Sequence, residues 1–335
     1  MTSPSGAVLV TGGAGFIGSE LVRQLLAQDP AREVRVVDNL ANGRAENLEG
    51  LACRLLRRDI RDRGAMQEAV NGVDTVFHLA CLGVRHSIHS PEENHAVNAT
   101  ATLDLLALAR ASGVRRFVYV SSSEVYGTAK WVPMTEEHPT FPMTVYGASK
   151  LAGECYARAY HRTYGYPTVV VRPFNTYGPR CHHEGDSGEV IPKFLLRGMA
   201  GRPLRVHGDG TQTRDFTYVS DTARGILAAG ASDAAIGETI NLGQGREITV
   251  NDLARQVAET LGTSAAVEHG PARPGDVLRL FADASKAERL LGFTPSIAFG
   301  EGLARLRDWY RAQGRTPEEL LEAEQAQNWE RPGAR

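Results

Sequence analysis

The sequence predicts an α/β fold in which helices wind over both faces of a parallel sheet and a smaller α/β domain is appended. Three observations carry this. Apolar runs of strand length alternate with segments of helical periodicity, a glycine run stands at the first strand-to-helix junction, and a carboxylate ends the second strand.

The first apolar run covers residues 7–10. It leads through Thr11-Gly12-Gly13-Ala14-Gly15-Phe16-Ile17-Gly18 into 19–26, whose apolar residues recur at helical spacing. A glycine run in that position is the context of a dinucleotide loop. Gly12 and Gly13 permit the tight turn, Gly15 lets backbone approach a pyrophosphate, Phe16 and Ile17 continue the loop, and Gly18 allows close helix packing. The amides at the helix start then face the anion. The second run, 34–37, ends in Asp38-Asn39. A carboxylate there accepts both ribose hydroxyls and repels a 2′-phosphate, so NAD is expected over NADP; nearby Arg44 is the group that argues the other way.

Further strand-like runs at 73–79, 117–120 and 168–172 alternate with helical patterns around 64–70, 98–109 and 150–163. This is the pattern of a Rossmann-type doubly wound parallel sheet. Ligands bind beyond the carboxyl ends of such strands, and Gly12, Asp38, Ala80, Ser122 and Asn175 all fall just past strand ends. After Gly178-Pro179 the pattern breaks into loops, with Arg202-Pro203 and Gly208-Asp209-Gly210 as turns. A smaller α/β substrate-binding domain is expected there. Residues 215–230 read as a strand and helix returning to the first domain, and 240–242 as another strand. The expected division is 1–178 with 215–243 for the NAD domain, and 179–214 with 244–335 for the second. A charged helical tail over 317–327 is expected to be peripheral.

With 335 residues, 42% of them hydrophobic, the chain can bury a full core. Lys plus Arg (37) nearly balances Asp plus Glu (39), which leaves no bulk basic field for nucleic acid or an anionic membrane. No apolar run approaches membrane-spanning length, and the expected location is the cytoplasm. Cys53, Cys81, Cys155 and Cys181 are scattered, as free thiols in a reducing compartment would be. Cys181-His182-His183-Glu184 invites a metal reading, but adjacent residues do not converge on one ion without distant ligands. No metal is expected, and the segment reads as a surface loop.

Tyr146-Gly147-Ala148-Ser149-Lys150 carries the chemistry. Residues four apart share a helix face, so Tyr146 and Lys150 point together toward the nicotinamide crevice. A phenol with a pKa of about 10 is a poor base at neutral pH, and a nearby ammonium lowers it by roughly 1–3 units while also binding ribose. Tyr146 would then take a hydroxyl proton as the cofactor is reduced. Upstream, Ser121-Ser122-Ser123-Glu124-Val125-Tyr126-Gly127 follows the strand at 117–120.

These segments resemble the extended short-chain dehydrogenase/reductase superfamily, in its nucleotide-sugar epimerase, dehydratase and decarboxylase branch. The resemblance spans nearly the whole chain. It includes Asp59-Ile60, His78-Leu79-Ala80, Arg172-Pro173-Phe174-Asn175-Thr176-Tyr177-Gly178-Pro179-Arg180, Arg214-Asp215-Phe216-Thr217-Tyr218-Val219 and Arg273-Pro274-Gly275-Asp276. It implies Ser122 as the hydroxyl that binds the reacting sugar oxygen, Tyr146 as base and Lys150 as the group lowering its pKa. Asp59 and Ile60 would meet the adenine, and Leu79 and Ala80 would line the nicotinamide site. Ser123, Asn175, Lys193, Arg214, Arg273 and Asp276 would meet a nucleotide-diphosphate sugar, the arginines by bidentate contact with phosphate. A homodimer through the helices around 98–110 and 150–163 is likewise implied.

In that branch hydride leaves the sugar C4 for the cofactor, the resulting 4-keto group acidifies C5, and hydride later returns. A plain 4-epimerase needs no further acid or base, yet Glu124 stands two residues after the serine. It matches the C5 base of sugar-nucleotide 4,6-dehydratases and also the glutamate of UDP-glucuronate decarboxylases. Ser123 departs from the acid that dTDP-sugar dehydratases carry at its position, and Gly147-Ala148-Ser149 looks like the epimerases. Dehydration is the leading expectation. 4-Epimerisation, decarboxylation, a reductase with exchangeable NAD, and an NAD-binding sensor without turnover are the alternatives.

Overall fold

Parallel strands present the site at one edge. The computed structural model describes residues 6–325 and 328–329. In chain order the first strands are β1 (Ala7–Thr11), β2 (Val34–Val37), β3 (Cys53–Leu56), β4 (Val73–His78), β5 (Arg116–Val120) and β6 (Thr168–Pro173). Short strands β7 (Asn175–Tyr177), β8 (Leu204–His207), β9 (Thr213–Arg214) and β10 (Phe216–Tyr218) precede β11 (Thr239–Leu242). The main sheet has seven strands in the order β11-β6-β5-β4-β1-β2-β3, and every pairing is parallel.

Helices α1 (Phe16–Gln28), α2 (Arg63–Val70), α3 (Val84–His89), α4 (Pro91–His95), α5 (Ala101–Ala111) and α6 (Val145–Tyr164) follow the strands of the first half. Farther on come α7 (Val190–Met199), α8 (Val219–Ala231) and α9 (Val250–Leu261). On one sheet face Leu21 and Leu25 of α1 meet Ile226 of α8 over Val36, Val118 and Val171. On the other, Met66, Leu105 and Ala157 cover Leu9, Phe117 and Val170. Burial on both faces is why these strands read as continuous apolar runs. The return of the chain is visible: α8 packs on the sheet and β11 pairs with β6. A separate core joins α7, β8 and α9 through Phe194, Leu204, Val206 and Leu253.

Four local expectations change. Helix α1 begins at Phe16, because the turn itself supplies its first residues. Strand β3 escapes a hydrophobic reading because Arg54 interrupts it and none of its residues is fully buried. Residues 84–95 form α3 and α4 although they lack an apolar period; Asn94 and Asn98 tie the segment down by donating to Leu82 O at 3.1 and 2.9 Å. The stretch 179–212 likewise contains α7. In the tail, Pro317–Leu321 is helical with Leu320 and Leu321 buried, while 326–327 lie outside the described residues. Among the described residues, no helix is long and apolar enough to cross a membrane.

Candidate functional site

A cleft of about 520 Å³ lies past the carboxyl ends of the strands, within the roughly 300–1,000 Å³ of small-molecule sites. Its floor requires glycine. Gly12 has φ +71, and a Cβ there would stand 2.7 Å from Ala80 N; at Gly18 a Cβ would stand 2.1 Å from Gly12 O. The turn therefore brings backbone without side chains to the cleft, and α1 starts directly behind it. Asp38 accepts from Ala14 N at 3.0 Å and Leu40 N at 2.9 Å. Burial pushes its carboxyl above the ordinary value, and those two amides oppose the shift. Asp59 is brought down to about 2, chiefly by the Arg61 side chain, and accepts from Asn39 Nδ2 at 2.9 Å. Gly12, Gly15, Phe16, Ile17, Gly18, Asp38, Asn39, Asp59, Ile60, Leu79 and Ala80 all line this half. Arg44 turns instead to Glu184, 2.7 Å away. A glycine cradle at the start of a helix and a strand-end carboxylate fit a pyrophosphate and an unphosphorylated ribose.

The next wall is built by the end of β5 and the start of α6. Ser122 accepts from Glu124 N at 3.2 Å and so caps the short turn Ser123–Val125. Thr144 caps α6 by accepting from Gly147 N at 3.2 Å. Between these caps the Ser122 hydroxyl meets the Tyr146 phenol, and Glu124, 8% exposed, lines the same space. Burial is the main cause that drives the phenol well above its ordinary value; Cys81, Glu124 and Glu189 add to it, and the Ser122 hydrogen bond opposes it.

Lys150 lines the cleft from the same helix face as Tyr146. Its ammonium donates to Val120 O at 2.7 Å and lies 4.6 Å from the Tyr119 ring centroid. A buried ammonium must be hydrogen-bonded, and the strand-end carbonyl is the acceptor within reach. Burial lowers its own pKa.

The third wall gathers the expected substrate residues, with one exception. Arg214 donates to Asp276 at 2.7 Å, and Arg273 reaches the same carboxylate. Arg273 Nε and Asn175 Oδ1 are buried without partners. Ser123, Asn175, Arg214, Arg273 and Asp276 line the cleft. Lys193 does not; its ammonium donates to Gln325 O at 3.1 Å, because the chain after the last helix folds back across α7.

The family model for the NAD-dependent epimerase/dehydratase family matches residues 8–243. The chain belongs to the NAD-dependent epimerase/dehydratase family. A putative UDP-glucose 4-epimerase from Methanocaldococcus jannaschii is 36% identical over 92% of this chain and 100% of its own. UDP-glucuronic acid decarboxylase 1 of Arabidopsis thaliana is 37% identical over 91% of this chain and 69% of its own. Among solved structures, the dTDP-glucose 4,6-dehydratase DesIV of Streptomyces venezuelae, crystallised with NAD, is 38% identical with a TM-score of 0.86. That likeness covers 92% of this chain and 97% of DesIV. NAD is the cofactor of this family.

Within this epimerase/dehydratase site, sequence reading missed Arg85, Glu189, Arg205, His207 and Trp329, all of which line the cleft. Only the general loop placement pointed to them. His86 and His182 also line the cleft. His89 pairs with Asp186 at 3.1 Å. The Cys181-His182-His183-Glu184 segment is no surface loop: Cys181 and His183 are buried, and Glu184 gathers His182 Nδ1 at 3.2 Å, His183 N at 2.8 Å and Arg44. The following residues continue across the cleft, Ser187 reaching Asn42 at 3.4 Å and Arg85 at 3.5 Å. Nor is the tail peripheral. Asn328 donates to Gly188 O at 2.9 Å, and Trp329 lies 4.9 Å from His207, ring to ring.

Proposed function

We propose that the protein is a nucleotide-sugar 4,6-dehydratase that works through a 4-keto sugar. The observation that carries this is Glu124, buried in the cleft beside Ser122 and Tyr146, where 4-epimerisation needs no third group. Bound NAD would supply the oxidation of the sugar C4 hydroxyl and, once water has left, the hydride that saturates C6. The chain's own residues do the rest. Gly12, Gly15, Gly18 and Asp38 hold the dinucleotide, Ser122 positions the C4 hydroxyl, and Tyr146 takes its proton. Lys150 faces the ribose side and is held by Val120. Once C4 is a ketone, the C5 proton is acidic, and Glu124 accepts it. Asn175, Arg214, Arg273 and Asp276 bind the sugar nucleotide, most strongly through its diphosphate. The same reading takes the division at 178, 215 and 243 as that between cofactor and substrate domains, in a cytoplasmic homodimer.

4-Epimerisation is the second reading, favoured by Ser123 where an acid would stand and by Tyr146-Gly147-Ala148-Ser149-Lys150. Mass spectrometry and proton NMR of the products from UDP-glucose, UDP-glucuronate, dTDP-glucose and GDP-mannose in heavy water separate them. Loss of water with deuterium at C5 supports dehydration. Unchanged mass with inverted C4 replaces it by epimerisation, and loss of carbon dioxide by decarboxylation.

A further inference from the structure

An elimination of water needs a proton for the departing oxygen, and a useful donor has a pKa near the working pH. Ser123, 3% exposed beside Glu124, carries an alkyl hydroxyl far too weak to serve. A distant segment of the chain holds a better group. Glu189 directly precedes α7, with its backbone fixed on both sides: its N–H donates to His182 O at 2.8 Å and its carbonyl accepts from Lys193 N at 3.3 Å. Its carboxyl lines the cleft, and among the described residues no side chain holds it by hydrogen bond or ion pair. Its charge is felt by the Tyr146 phenol, which puts it on the reacting side of the cleft. Burial pushes this carboxyl up to about 7, against the pull of His182 and Arg85. At neutral pH a large share of it carries a proton.

Resting on the dehydration reading, we propose that Glu189 is the acid that protonates the departing C6 oxygen. In that step Glu124 takes the C5 proton, and the electron pair of the C5–H bond becomes the C5=C6 bond. The C6–O bond breaks, its electrons remain with oxygen, and that oxygen takes the Glu189 proton and leaves as water. Glu189 ends as a carboxylate. Arg85, whose Nε is buried without a partner among the described residues, is the nearby cation that stabilises it. Two carboxyl groups from distant segments of the chain thus divide the work, one as base and one as acid.

The test is Glu189→Gln in the NAD-loaded enzyme, using whichever of dTDP-glucose, UDP-glucose and GDP-mannose the wild type dehydrates. Glutamine matches the shape and neutrality of the protonated acid, so the wall is preserved. Expected is a loss of water release of at least about 100-fold, with near-ultraviolet reduction of the cofactor and deuterium entry at C5 both retained. Glu189→Asp should recover part of the lost rate. Dehydration at the wild-type rate overturns the proposal. Loss of cofactor reduction and C5 exchange together also overturns it, since Glu189 would then be binding substrate. If the wild type itself reduces its cofactor but releases no water from any of these sugars, the dehydration reading fails first and takes the proposal with it.

Discussion

A phenol buried beside a thiol and two carboxylates resists ionisation, so Tyr146 depends on whatever favours its anion. The Ser122 hydroxyl is one such group. Tyr146→Phe should lower turnover by about 10²–10⁴-fold without unfolding the chain, as steady-state rates and circular dichroism will report. Ser122→Ala removes a hydrogen bond that lowers the phenol's pKa. The limb of the kcat/KM profile governed by Tyr146 should therefore move to higher pH. His78 offers a separate check on stability. It bridges Thr11 Oγ1 at 2.6 Å and Thr102 Oγ1 at 2.8 Å, and burial brings its pKa from 6.5 down to about 3. The unfolded chain therefore binds this proton first as pH falls. The contribution is complete above 6.5 and is lost as pH drops from there toward about 3. Thermal midpoints measured across that window should show a shallower decline in His78→Gln than in the wild type.

Helix α6 meets the Ser123–Val125 turn through one glycine. A Cβ at Gly147 would stand 2.7 Å from Glu124 O, which is backbone and cannot swing aside. Gly147→Ala should shift the turn that carries Glu124 and depress kcat by about tenfold or more, given how steeply rates depend on alignment, while NAD content stays unchanged. Elements of this kind were legible to different degrees. Strands buried on both faces showed as apolar runs, and the glycine turn and Tyr146-Lys150 spacing showed as motifs, so most of the cofactor and catalytic walls could be read directly. Helices α3 and α4 could not, because asparagine side chains bonded to carbonyls organise them. Lys150 was placed on the right face, but its acceptor is set by the end of another strand. Arg85, Glu189 and Trp329 come from three distant segments, and no local spacing announces a meeting that only tertiary packing arranges.

At the scale of the molecule, α5 and α6 expose Leu103 at 38%, Val145 at 38% and Tyr164 at 52%. The expected homodimer would cover that face. Sedimentation should give twice the chain mass, and Leu103→Glu with Tyr164→Glu should return it to a monomer. The residues from His182 to Ser187 connect in the other direction, from the substrate wall to the cofactor loop at Asn42 and Arg44. Arg44→Ala cuts the Glu184 anchor and should hasten NAD loss in dialysis. It should also lower the thermal midpoint of the purified protein, because a ligand bound only to the native state adds stability. On the dehydration reading, a dinucleotide fenced in this way would be spent and regenerated within each catalytic cycle. Flux through such an enzyme would follow the supply of sugar nucleotide and ignore the redox poise of the surrounding cell.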